Sequence, residues 1–263
     1  PARHSGTQAN SHKRAVGMKT VKKIAIAVLA LSLAACGKKD DAAAPAATAA
    51  AGAPATPASG QNWVDTVSAT PEGGFRMGNP DAAVKLVEYA SFTCPHCAAF
   101  EAEASDKIQA YVQKGTVSWE FRPFLLNAMD VAPSLLAGCQ GAGPFFKLAE
   151  QLYADQQNWA MKYQSLSQSE IQRLQALPET QQFSALAKAG GLDQFFGARG
   201  LPAAKAEACL TDKAATDKLV ALRGIGTDRD GVTGTPTFII NGTNAKDTYD
   251  WASLEPKLQA AGA

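Results

Sequence analysis

The sequence predicts an α/β fold, and three stretches predict it. Residues 83–91, "AVKLVEYAS", form a β-rich apolar run that leads into a helix opening on Cys94-Pro95-His96-Cys97, and a second such run, residues 116–124, follows that helix. A long block of helix composition, about residues 127–229, comes next. Strand material then resumes at residues 231–242, before a closing helix that begins near Trp251. Short apolar runs bounded by turn residues read as strands, and longer segments broken by Gly or Pro read as helices.

The chain has 263 residues and 46% hydrophobic content, enough for a sizeable core. Its front end reads differently from the rest. Residues 1–17 precede the first methionine and have no signal character, so they are taken as an upstream extension or cloning remnant. Met18 opens a basic segment (Lys19, Lys22, Lys23) followed by an apolar run over residues 24–35, too short to span a bilayer comfortably and typical of an export signal. "LAAC" at residues 33–36 resembles the lipobox of bacterial lipoproteins, which implies cleavage before Cys36 and acylation of its thiol. An ordinary export signal with an incidental cysteine is the alternative.

Without residues 1–35 the charge changes sign. That segment holds six Lys and Arg and no acid, so 25 basic residues fall to 19 against 24 acidic ones, a net charge of −5. Such a chain is a poor partner for nucleic acid. Residues 36–61 then read as a lipid anchor and an Ala/Pro-rich disordered tether, with Pro45, Pro54 and Pro57 breaking any helix. The folded part is expected over residues 62–263.

Its elements follow in order. "TVSATPEGGFRMG" suggests short strands on either side of Gly73-Gly74. The run over 83–91 is a buried strand. In the helix after it, Pro95 suits the first turn, Phe100, Ile108 and Tyr111 give an irregular apolar face, and Gly115 is the stop. Residues 116–124 form the next strand. The helical block interrupts the fold rather than ending it, because "GVTGTPTFIING" supplies a Pro-led strand ending at Asn241-Gly242. "WASLEPKLQAA" closes the chain as a helix.

Four cysteines remain beyond Cys36: Cys94, Cys97, Cys139 and Cys209, an even number that suits an oxidising compartment. The Cys94/Cys97 pair has three readings. Zinc needs about four ligands, yet Cys139 and Cys209 are isolated and His96 is the only histidine after the signal. Haem attachment needs His directly after the second cysteine, where Ala98 stands. A structural bridge over so short a loop constrains the unfolded chain little. Redox work fits best. Cys94 at a helix N-terminus faces free N–H groups and the positive end of the dipole, and His96 can add charge or a donor. Both favour a thiolate, and stabilising the reduced form makes the disulfide an oxidant. Cys97, further into the helix, is the resolving thiol.

"VKLVEYASFTCPHCAAF" and "GVTGTPTFIING", with the helical block between them, resemble the DsbA-like thiol-disulfide oxidoreductases of bacterial envelopes over about residues 75–262. The resemblance implies a thioredoxin-like fold with an all-helical insertion between the CxxC half and the cis-Pro half. It implies that Thr235-Pro236 is a cis-proline pair lying against the cysteines and offering backbone to an extended substrate. It implies that Glu88, six residues before Cys94, is a buried acid moving a proton to or from Cys97. Glu120 is a weaker candidate for the same neighbourhood. Relatives often bridge cysteines placed like Cys139 and Cys209, so a structural disulfide is implied there, two free buried thiols being the alternative.

The expected activity is donation of the Cys94–Cys97 disulfide to unfolded or partly folded exported proteins, by a monomer with no cofactor and no metal. A membrane redox partner would regenerate the disulfide, on the periplasmic side of a bacterial envelope. One departure leaves the direction open. The best-known relatives carry Val before the cis-proline, whereas the Thr at 235 also occurs in envelope disulfide isomerases and reductases. Those isomerases need an oligomerisation segment, which residues 36–61 do not offer. A Cu(I) metallochaperone is a third reading, weakened by the lack of a Met cluster or second His nearby.

Overall fold

A computed structural model describes residues 62–263. The expectations for residues 1–61, including acylation of Cys36, lie outside the described residues.

After a short 3-10 turn at Trp63–Asp65, strands β1 (Val67–Ala69) and β2 (Phe75–Met77) form a hairpin across Gly73-Gly74. Strand β3 (Val84–Ala90) leads to helix α1 (Pro95–Gln113), and β4 (Val117–Pro123) returns parallel to β3. Helices α2 (Val131–Gly138), α3 (Phe145–Ala154), α4 (Gln156–Gln164), α5 (Gln168–Gln175), α6 (Glu179–Gly190), α7 (Leu192–Gly197), α8 (Ala203–Leu210) and α9 (Lys213–Gly224) follow, and a π-helical turn at Ile225–Arg229 ends the block. Strands β5 (Thr237–Ile240) and β6 (Thr243–Asn244) and helix α10 (Trp251–Ala260) complete the chain.

The six strands form one sheet in the order β1-β2-β4-β3-β5-β6, parallel only between β3 and β4. This is the thioredoxin-like α/β arrangement that the sequence predicts. One element differs. The strand expected over residues 231–242 is ordered as a strand only at β5, and the residues before it form a loop. Asn241 and Gly242 then adopt positive φ (48° and 81°) and turn the chain into the two-residue β6. The Asn-Gly turn at the strand's end is thus where the sequence puts it, and it opens a hairpin into β6.

Period-2 alternation gives each central strand two apolar faces. Leu86, Trp119, Phe121 and Phe238 face α1, whose buried residues Phe100, Ala104, Ile108 and Val112 lie along one stripe, with Phe100 and Phe238 centred 4.6 Å apart. The helical block packs on the same core through Phe145, Phe146 and Tyr153, with Phe75 stacked on Phe145 at 3.8 Å. Tyr89, Phe124, Leu222, Val232 and Ile239 form a separate cluster. Gly226 in the π-helical turn lets backbone approach there, since a Cβ would meet Tyr89 at 3.0 Å and Phe124 at 3.1 Å. β3 is thus buried on both sides, which fixes its register and the position of the residues leaving its C-terminal end.

Candidate active site

Cys94 is the residue before α1, with extended backbone (φ −82°, ψ 119°), and Pro95 fills the first helical position, where a missing N–H costs nothing. Both Cys94 and Cys97 are free thiols in this structure, and both are buried. Across from them the Thr235–Pro236 peptide is cis, and the Cys94 sulfur lies 3.4 Å from the Thr235 carbonyl oxygen. The structure therefore brings Cys94, Cys97, Thr235 and Pro236 together from opposite ends of the fold.

The two thiols are driven apart in acidity. Cys94 is lowered to about 5. The largest cause is a hydrogen bond from the Cys97 thiol; burial opposes it, and Thr235 and the backbone N–H groups of Cys97 and His96 add to it. The amide groups at the helix start therefore contribute, but the partner thiol contributes more. The Thr235 hydroxyl, buried and without any other hydrogen-bond partner, stabilises the anionic sulfur by donating to it. Cys97 is raised well above the ordinary thiol value, first by burial, then by its bond to Cys94 and the negative charge of Cys94, with Glu88 adding to this only when ionised. The His96 ring is exposed and lines a groove of about 890 Å³ with Phe100, Glu103, Thr235, Pro236 and Tyr249. What His96 gives the sulfur is its backbone N–H.

Glu88 is buried on the α1 side of β3 and accepts a 3.0 Å bond from the Trp119 indole nitrogen. Its carboxyl is pushed well above the carboxylate range by burial and then by Glu101, against the Trp119 bond. Glu120 is a correction. It sits one residue out of phase with Trp119 and Phe121, so its side chain lies on the other face of the sheet, accepting from Thr70 Oγ1 at 2.8 Å and from Arg122 Nε at 2.7 Å. Alternation along β4 rules it out of the thiol neighbourhood.

Glu101 takes the place that sequence reasoning missed. It stands one helical turn after Cys97 on α1, is buried, and is raised to about 8 by burial and then by Glu150, against a bond from Ser105. It lines a second cavity of about 500 Å³ with Pro95, Glu150 and Gln156. The only sequence signal was its i+4 spacing from Cys97, shared by any helical carboxylate. Cys139 and Cys209 are joined by a disulfide between the end of α2 and α8, closing a separation of 70 residues. Among the described residues no cluster of three His, Cys, Asp or Glu is placed to hold a metal.

An acidified thiol and a buried partner thiol at a helix start face a cis-proline across a thioredoxin-like sheet. A family model described as thioredoxin matches residues 70–260, and the chain belongs to that family. Among solved structures it is similar to a protein-disulfide isomerase from Novosphingobium aromaticivorans (TM-score 0.68, 31% identity, 72% of this chain and 97% of that one). The α-DsbA1 of Wolbachia pipientis shares the fold (TM-score 0.58, 20% identity, 74% and 92%). A Rickettsia bellii chain provisionally named protein-disulfide oxidoreductase is 27% identical over 194 residues, 72% of this chain and 65% of its own length. The chain thus spans somewhat under two thirds of that relative.

Proposed function

We propose that this protein is a thiol-disulfide oxidoreductase that donates its Cys94–Cys97 disulfide to exported proteins. The observation that supports it is the opposed acidity of the two thiols, Cys94 lowered to about 5 and Cys97 raised. In the oxidised protein a substrate thiolate attacks the Cys94 sulfur, and the Cys94–Cys97 bond breaks. Cys97 leaves with the electron pair and, because its buried site disfavours the anion, takes up a proton, with the neutral Glu88 carboxyl as the nearby donor. A second substrate thiolate then attacks the substrate sulfur of the mixed disulfide. Cys94 departs as a stable thiolate, and two electrons have passed from substrate to protein. A low-pKa thiol is the better leaving group, so the sulfur facing the substrate is the one released fastest. The Thr235 backbone beside it is placed to pair with the extended substrate segment.

The envelope location, the anchor at Cys36 and the membrane partner that would reoxidise the pair belong to the same proposal, supported by the export signal and the lipobox-like "LAAC". A second reading, an isomerase or reductase kept reduced, is favoured by Thr235 and by the similarity to the Novosphingobium protein-disulfide isomerase. The redox potential of the couple, with its redox state in cells, separates the two. A potential near −120 mV, like that of DsbA, with a mostly oxidised pool supports the donor; one near thioredoxin's, about −270 mV, with a reduced pool overturns it.

A further inference from the structure

The helical block does more than cover the sheet. Four residues join β3 to α1, Ser91 to Cys94, and three buried side chains of the block hold them. Asp130, just before α2, accepts from Ser91 Oγ (2.7 Å) and the Thr93 backbone N–H (2.9 Å) with one oxygen, and from Leu126 N–H (2.9 Å) and Asn127 N–H (3.3 Å) with the other. The Tyr153 hydroxyl donates to the Ser91 carbonyl at 3.1 Å. Gln156, the first residue of α4 and only 4% exposed, donates from Nε2 to the Phe92 carbonyl (2.8 Å) and the Cys94 carbonyl (2.9 Å). Two carbonyls facing one amide demand its NH₂ end, which settles which way the side chain points.

We propose that Gln156 is a positioning residue for the redox reaction, fixing the Thr93–Cys94 peptides so that the N–H groups of the first turn of α1 meet the Cys94 sulfur. The physical case is one of orientation. The carbonyls of Phe92 and Cys94 belong to the peptide units on either side of the Thr93–Cys94 peptide, so holding both fixes that peptide and with it the direction of the Cys94 side chain. With both pinned by one side chain, those peptides cannot rotate without stranding the buried Gln156 amide and the Phe92 carbonyl, and without costing the Cys94 carbonyl one of its two donors. The Cys94 carbonyl also takes the first helical bond, from Ala98 N–H at 3.2 Å, so the clamp and the helix start share an atom. A block inserted more than 60 residues downstream thereby acts on the nucleophile without touching the sulfur.

The inference rests on Cys94 being the nucleophile, and one experiment tells the two apart. Thiolate absorbance of the reduced full chain is followed against pH, and its equilibrium with glutathione is measured, for wild type, Gln156→Met, Tyr153→Phe and the exposed neighbour Gln157→Ala. In wild type the Cys94 midpoint is expected near 5; a sulfur still protonated at pH 7 would remove the nucleophile reading itself. Gln156→Met is expected to raise the midpoint by about one pH unit and to shift the glutathione equilibrium about tenfold toward the disulfide form, since one unit is a factor of ten. Gln157→Ala is expected to change neither. A midpoint and an equilibrium like wild type in Gln156→Met overturn the proposal, even if the variant melts at a lower temperature. Should Gln156→Met not fold, Tyr153→Phe decides: it deletes one hydroxyl from the clamp and must raise the midpoint measurably, and an unmoved midpoint overturns the proposal.

Discussion

Glu88 and Tyr89 are neighbours on one strand, and their surroundings are opposites. Tyr89 points into a network in which Arg122, buried, bonds Glu120 through Nε at 2.7 Å and the Tyr89 hydroxyl at 3.0 Å, and Tyr89 donates to Asp230 at 2.6 Å. Every charge there has a counter-charge, and the Asp230 carboxyl is held below the usual range by Arg229 first. Glu88 points the other way, toward Cys97 and Glu101, with the Trp119 indole as its hydrogen-bond donor and no cation among the groups that shift it. A buried acid without a counter-charge stays protonated, whereas a buried acid beside Arg122 stays ionised. One face of the sheet thus uses charge to hold the fold, and the other keeps an acid uncharged beside Cys97. Perturbed acids gathered at one place mark chemistry more than stability.

The comparison can be broken at either face. The largest effect is expected from Arg122→Met. It leaves the half-buried Glu120 without its cation, while Asp230 keeps Arg229, and should destabilise the protein by about 1.5–3 kcal/mol in denaturant unfolding. A loss well under 1 kcal/mol would show that the network holds little. The Cys94 titration should change little in the same variant, because the network and the sulfur lie on different faces.

Glu88→Gln reads the other face. It should lower the rate of disulfide transfer by about ten- to a hundredfold, the lower range for loss of a positioned acid, while leaving the melting temperature equal or higher. An unchanged rate would reduce Glu88 to packing.

The smallest effect concerns Glu101. A carboxyl raised to about 8 in the fold and near 4.5 when unfolded contributes stability fully present below pH 4.5 and lost as pH rises through 8. Glu101→Gln should therefore match wild type at pH 4 and be the more stable of the two at pH 9. Equal stabilities at both values would mean that water in the adjoining cavity solvates the carboxylate.

Which of these residues the sequence reveals follows from how local their signals are. The β–CxxC–α–β unit was legible because the apolar runs, Pro95 and the Cys spacing all act within about 40 residues. Thr235-Pro236 was legible only through resemblance, since nothing local links residue 235 to residue 94. Glu120 was misplaced by its proximity in sequence, although its phase relative to the apolar Trp119 and Phe121 carried the answer. Glu101 was hidden in a helix whose apolar face is irregular, so its burial by α3 could not be read from periodicity. Asp130, Tyr153 and Gln156 gave no signal at all: their partners are backbone atoms of a loop that is distant in the chain.

The reactive sulfur and the carbonyl beside it are separated by 141 residues, and β5 must pair with β3 across the same span. A ribosome delivers Cys94 long before Thr235, so for most of synthesis the thiol exists without its docking groove. The sheet that aligns the two closes only when the last strands arrive, a non-local and therefore late event. A half-made chain consequently carries the Cys94 sulfur without the cis-proline strand that lies beside it.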